Sequence, residues 1–227
     1  MRALALSLLS TFLVGQNSPT APQPLKLPAP SLGSVTLEKA LKERQSIRTL
    51  GGPALSVGTL SSLLWAAQGE NRPGTEGRRG GRTVPSASAG YPLELYVIVT
   101  KSDALADGVY KYSTKEHNLT KVKDGGPEAI LGPIAGMQAW IPKCPAVFVI
   151  AGVPSRFRGN DPSRKETNTY WESGAAAQAL LLAVTASGLG ATPANGVNLE
   201  AIQTAMGLPS EEKVTLIVPV GNIVKQP

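Results

Sequence analysis

The chain has 227 residues, a formal charge of +6 and 42% hydrophobic residues. That length and composition build one sizeable globular domain rather than a disordered or fibrous chain. One cysteine rules out an internal disulfide, and one cysteine with one histidine leaves a zinc site without ligands of the usual kind.

The N-terminal "MRALALSLLSTFLVGQNS" has a positive start and about twelve apolar or small residues, too few to span a membrane. Residues 1–18 are expected to be a secretory signal and 19–34, rich in proline, a flexible linker. The folded domain is expected over 35–227, exported, with no membrane span in the mature chain. "TLEKALKERQSIR" opens on Thr36, an N-cap residue, with Glu38 in the first turn, and is expected to be helical. Within it Arg44 and Arg48 are four apart and would share a helix face, where two guanidiniums repel unless water or an anion lies between them. "SVGTLSSLLWAAQG" repeats Leu60, Leu63, Leu64 and Ala67 at helical spacing and stops at Gly69.

A long loop rich in Gly, Arg and Ser follows, and loops of that length in a compact domain are usually functional or disordered. It holds "GRRGGR" (Gly77 to Arg82), the densest basic cluster, which offers a weak case for an anionic surface. No aromatic-plus-basic pattern or basic helix accompanies it, so no nucleic-acid partner is expected. "LELYVIVT" is a predicted strand, and "GVYKYS" and "NLTKV" a hairpin around His117, expected to be a solvated loop residue. "PEAILGPIAGMQAW" is a weak helix, and "PAVFVIAGV" a strand buried on both faces, entered by a buried structural Cys144. "SRFRGNDPSRKETN" is expected to be loop, and "TYWESGAAAQALLLAVTASGLG" a central buried helix. A turn "ATPANGVN", a short helix "LEAIQTAMGLP" and a strand "KVTLIVPVGN" close the chain. Tyr170 and Trp171 are candidates for a pocket wall and better candidates for core. Loosely alternating helices and strands with a central hairpin imply one α+β domain on a mixed sheet.

In chain order, "RQSIR", "LLWAAQG", "RTVPSASAGYPLELYVIV", "GVYKY", "ESGAAAQALLLAVTASGLGATPANG" and "LIVPVG" resemble the nitroreductase-fold flavoproteins, and within them the SagB-type dehydrogenase branch. The resemblance implies a nitroreductase-like fold, a central mixed β-sheet surrounded by helices, with FMN at a homodimer interface. It implies that Arg44, Gln45, Ser46 and Arg48 hold the flavin phosphate and ribityl chain, a role that suits bidentate guanidiniums and a hydroxyl. It implies that Pro85, Ser86, Ala87 and Ser88 lie along the isoalloxazine ring, from the partner subunit in many relatives. Pro193, Ala194, Asn195 and Gly196 would form the turn facing flavin N5. Here the chain departs from the commoner pattern: Ser88 stands where glycine is usual, Gly90 where a bulkier residue is, and Asn195 where many relatives have Glu or Gly. The tail ends six residues after Gly221, leaving Lys225 as its one basic candidate for phosphate.

The function implied is an FMN-dependent oxidoreductase that passes hydride or electrons through flavin N5 to or from a small organic substrate of the nitroaromatic, quinone or azoline class. NADH or NADPH is a candidate electron donor. No glycine-rich dinucleotide fingerprint is present, because "GLGATPANG" follows a helix rather than a strand. No side chain stands out as a catalytic acid or base, and no metal is expected. The alternative is an exported, non-catalytic flavin- or ligand-binding protein of the same fold.

Overall fold

The structure, a computed structural model, describes residues 23–76, 80–102, 104–134 and 138–224. The expected signal, Lys225 and the first three residues of "GRRGGR" lie outside the described residues. Strand β1 (Leu25–Lys26) precedes α1 (Leu37–Glu43), β2 (Leu50–Gly51), α2 (Val57–Gln68) and the short ribbon β3 (Glu70–Arg72) with β4 (Gly81–Arg82). Then come β5 (Leu93–Val99), β6 (Gly108–Ser113), β7 (Asn118–Asp124), α3 (Pro127–Leu131) and β8 (Ala146–Gly152). Helix α4 (Pro162–Ala186), β9 (Gly190–Ala191), α5 (Leu199–Met206) and β10 (Lys213–Ile223) complete it.

The main sheet runs β1-β7-β6-β5-β8-β10-β2, with β9 beside β10. The domain is α+β, with helices around a central sheet, as expected. Its strand pairs are antiparallel. The mixed character shrinks to one parallel bridge between Ser46 and Ala191. Alternation along β5 and β8 sends Val97, Phe148 and Ile150 into one core with Leu63 and Leu64 of α2 and Leu180 of α4. Tyr96, Ile98, Val147 and Val149 face a second core with Leu131 of α3 and Ile202 of α5. Both faces of the sheet are covered, which is why β8 is apolar and buried throughout.

Several expectations are corrected. Helix α1 stops at Glu43, and Arg44 is its extended C-cap (φ −60°, ψ 123°), so "RQSIR" is not helical. Helix α4 starts seven residues before the predicted start, at Pro162, with the Asp161 side chain accepting the Arg164 N–H. An Asp N-cap followed by proline at the first helical position is the signal "NDP" carried. Tyr170 and Trp171 are not core: they are 52% and 71% exposed, because the buried stripe of α4 runs through Thr169, Glu172, Ser173 and Ala176.

Residues 23–34, expected as linker, dock on the body. Leu25 and Lys26 pair with Leu119 and Asn118, Leu27 is buried, and the Ser31 N–H donates to Ser62 Oγ. His117 is the clasp rather than a solvated residue. Its Nε2 lies 2.8 Å from Ser61 Oγ and 3.0 Å from the Pro28 carbonyl, and its Nδ1 lies 2.8 Å from the Tyr112 hydroxyl.

Candidate functional site

Extended backbone changes what "RQSIR" can do. On a helix Ser46 would point away from Arg44 and Arg48; on an extended segment, residues two apart share a side. The Ile47 N–H donates to the Ala191 carbonyl at 3.0 Å, and Thr192 Oγ1 donates to the Ile47 carbonyl at 2.7 Å. These bonds fasten the segment beside β9. Ile47 packs on the second core, while Ser46 and Arg48 are exposed. Gln45 falls on the Ile47 side and borders a groove of about 490 Å³ with Leu181, Thr185 and Leu189. Arg44, at the corner where helix becomes strand, borders the same groove and is half-buried.

The chain leaving β9 enters the turn of Pro193 to Gly196. Ala194 is buried and exchanges two backbone hydrogen bonds with Ile217 of β10, at 2.8 and 3.1 Å. That anchor holds Pro193, Asn195 and Gly196 out in solvent. Fastened to one short stretch, residues 44–48 and 193–196 form a single neighbourhood. It offers two guanidiniums, a hydroxyl and the exposed turn at Asn195 and Gly196, which together suit an anion joined to a polar ring.

Pro85 to Ser88 lie elsewhere, against the middle of α4. Glu172 Oε1 accepts the Ala87 N–H at 2.8 Å, and Ser86 Oγ accepts the Tyr91 N–H at 2.7 Å. Glu172 and Thr185, which mark the two neighbourhoods, are thirteen residues apart on α4, about 20 Å along its axis. Within one copy the structure therefore brings together two of the three predicted groups and sets the third apart.

The turn is strained. Ser88, Ala89 and Tyr91 have φ of 53°, 51° and 48°, a left-handed conformation that costs a side-chain-bearing residue roughly 1–2 kcal/mol. Ser88 thus takes a backbone shape that glycine would hold without penalty. Gly90 has its own reason: a Cβ there would stand 2.5 Å from Cδ1 of the buried Phe157 ring. The Arg82 guanidinium sits 4.5 Å over the Tyr91 ring and donates to Gln68 Oε1 at 2.8 Å. Burial pulls the Arg82 guanidinium below its usual pKa, and Glu94 opposes the shift. Arg82 is thereby committed to the fold and withdrawn from any surface patch.

Sequence reasoning missed Glu172. It is 6% exposed and its Oε2 is buried with no hydrogen-bond partner among the described residues. Burial pushes its carboxyl above the ordinary range, against the pull of the Ala87 N–H, the Ser86 hydroxyl and Arg82. The signal was available: an acid at helical spacing with Thr169 and Ala176, on the buried stripe of an alanine-rich helix. Cys144 is buried at 1% exposure, and burial pushes its thiol up to about 12, as befits an inert structural residue. Among the described residues no His, Cys, Asp and Glu cluster could hold a metal, and no helix is long and apolar enough to cross a membrane.

Comparison with known proteins follows the same outline. The sequence model described as "Nitroreductase family" matches residues 41–222. A Methanocaldococcus jannaschii protein named as a nitroreductase is 30% identical over 201 residues, covering 88% of this chain and 98% of its own. A Ralstonia eutropha structure, also named as a nitroreductase, superposes with a TM-score of 0.77 at 27% identity, covering 92% of this chain and 93% of that one. A Desulfovibrio desulfuricans nitroreductase-named structure in complex with FMN has a TM-score of 0.59 at 17% identity, with 86% and 94% covered.

Proposed function

The chain belongs to the nitroreductase family, and we propose that it is a homodimeric FMN-dependent oxidoreductase acting on a small nitroaromatic, quinone or azoline, with NADH or NADPH as electron donor. The observation that carries the proposal is the fastening of residues 44–48 and 193–196 to one stretch, Ala191 and Thr192. The residues fit the cofactor. Arg44 and Arg48 would take the phosphate through charge-assisted hydrogen bonds, with Ser46 adding a hydroxyl between them. The backbone N–H groups of Asn195 and Gly196 would face the ring edge. Bound FMN would supply a ring that takes up and passes on two electrons. The chain's own part is to hold that ring and to shape the space above it.

The loop of Pro85 to Ser88 would complete the site from a second copy. The exposed apolar residues Leu37 and Leu41 of α1 and Tyr170 and Trp171 of α4 support an interface between copies. For export, which rests on the N-terminal sequence alone, mass measurement of the protein from its native cells is the check: loss of the first residues is expected, and an intact N-terminus would refute it.

The test of function is the absorbance spectrum of protein purified without added flavin, then with NADH or NADPH added under anaerobic conditions. A yellow protein that bleaches supports the proposal. A colourless protein that refuses added FMN would sink it and leave a non-catalytic member of the family. Arg44→Ala should weaken FMN binding by about 1.5–3 kcal/mol, the range for a hydrogen bond to a charged group.

A further inference from the structure

Beside the strained turn lies a cleft of about 600 Å³, lined by Arg72, Arg156 and Arg158 together with Ser88 and Tyr91. Ser88 and Arg158 also line an adjoining cleft of about 360 Å³ that includes Arg164 and Lys165. Five cations thus surround Ser88. Asp161 is the one acid in the two linings, and its Oδ1 is occupied by the Arg164 N–H. Arg156 is paired with Glu94, which also serves Lys111. The Arg72 and Arg158 side chains are exposed and make no ion pair or hydrogen bond among the described residues.

Arg72 is nevertheless placed. A Cβ on Gly81 would stand 2.5 Å from Arg72 Nη2 and 2.6 Å from its Nε, so the guanidinium lies flat across the space the glycine leaves. Guanidiniums grouped around a concavity, rather than strung along a surface, suit a compact anion with paired oxygens. The volume is that of a small-molecule site.

We propose that this cleft binds the anionic group, a phosphate or a carboxylate, of a substrate that reacts beside the Ser86–Ser88 turn. The placement of the reacting part rests on the FMN reading; the anion site itself does not. The arginines would hold the charged end of the substrate and leave its neutral part free to reach over the turn. The site is separate from Arg44 and Arg48, which lie at the other end of α4.

The experiment uses two probes and two double variants of the full chain. FMN binding is followed by fluorescence quenching and pyrophosphate binding by calorimetry. R72Q/R158Q should bind FMN as the wild type does and bind pyrophosphate at least about tenfold more weakly at this cleft. R44Q/R48Q should do the reverse, losing FMN and keeping this pyrophosphate site. Both altered side chains of the first variant are exposed and make no ion pair or hydrogen bond among the described residues, so folding is not at stake. Failure of every protein to bind FMN would overturn the cofactor assignment while the pyrophosphate result still decides the anion site. Unchanged pyrophosphate binding in R72Q/R158Q, or equal loss of both probes, would overturn the cleft.

Kinetics of the flavin-loaded enzyme then separate the two sources of charge. A rise of about tenfold in KM for NADPH, with NADH unchanged, assigns the cleft to the donor's phosphate. The same rise for 4-nitrobenzoate, with 4-nitrobenzamide unchanged, assigns it to the acceptor's carboxylate. An equal rise for NADPH and NADH assigns it to the pyrophosphate that the two share; if no KM moves, or 4-nitrobenzamide moves as much as 4-nitrobenzoate, the proposal falls.

Discussion

Gly152 sits at the end of β8, against Thr169 of α4. A Cβ there would stand 2.2 Å from Thr169 Cγ2 and 3.6 Å from Thr215 Cγ2. Thr169 is 2% exposed, and its Oγ1 donates to the Lys165 carbonyl at 2.8 Å, so the side chain is not free to rotate away. Gly152→Ala therefore overpacks a closed contact and should cost about 1–3 kcal/mol. At this chain length each kcal/mol lowers Tm by about 2–4 °C. Thr169→Ser removes the clashing methyl and keeps the hydroxyl bond, costing about 1 kcal/mol for one lost buried methyl. Combined, the alanine methyl takes the place of the threonine methyl, and the double variant should be within about 1 kcal/mol of wild type. Urea denaturation of the four proteins gives the cycle. Additive effects would show that the helix moves instead of clashing, and would refute the reasoning. The contact also bears on function, since Glu172 lies one turn further along α4.

Other perturbations test the loop and the clasp. Because burial raises the Glu172 carboxyl above its usual 4.5, the native state favours the protonated form. That contribution to stability is full at acid pH and is lost as pH climbs through the raised value. The Tm of Glu172→Gln minus that of wild type should therefore increase from about pH 4.5 upward and then level off; a flat difference would rule out the buried acid. His117→Ala should cost about 1–3 kcal/mol for the partners left at Ser61 and Tyr112. Its exchange signature is faster amide exchange at Leu27 and Ser31, and unchanged protection there would show that the arm is held without the histidine.

The legible and illegible parts of the sequence divide on physical grounds. Strands β5, β8 and β10 were plain because they are apolar runs covered on both faces. Helix α2 was plain because Leu60, Leu63 and Leu64 recur at helical spacing. "RQSIR" misled because residues four apart align on a helix and on a strand alike, so spacing could not choose between them. The choice was made by a tertiary bridge, Ser46 to Ala191, from a segment far along the chain. Tyr170 and Trp171 misled because apolar character does not say which side of a helix is covered. The early start of α4 was legible in Asp161 and Pro162 and was overridden by the polar residues that follow. His117 was out of reach, since its partners Pro28 and Ser61 are long-range.

Helix α4 also bears on the proposal of two copies. Its middle holds the Ala87 loop through Glu172, and its C-terminal end borders the groove beside Arg44. A rigid helix keeps those places about 20 Å apart, which favours a flavin that takes its phosphate contacts from one copy and its loop contacts from another. If the loop contributes to the cofactor site across an interface, the affinity for FMN depends on assembly. Serial dilution of the flavin-loaded protein should then release FMN, seen as recovered flavin fluorescence, over the concentration range in which sedimentation shows the dimer dissociating. Retention of FMN by a sedimenting monomer would mean that residues 44–48 and 193–196 suffice, and would detach the strained turn at Ser88 from the cofactor.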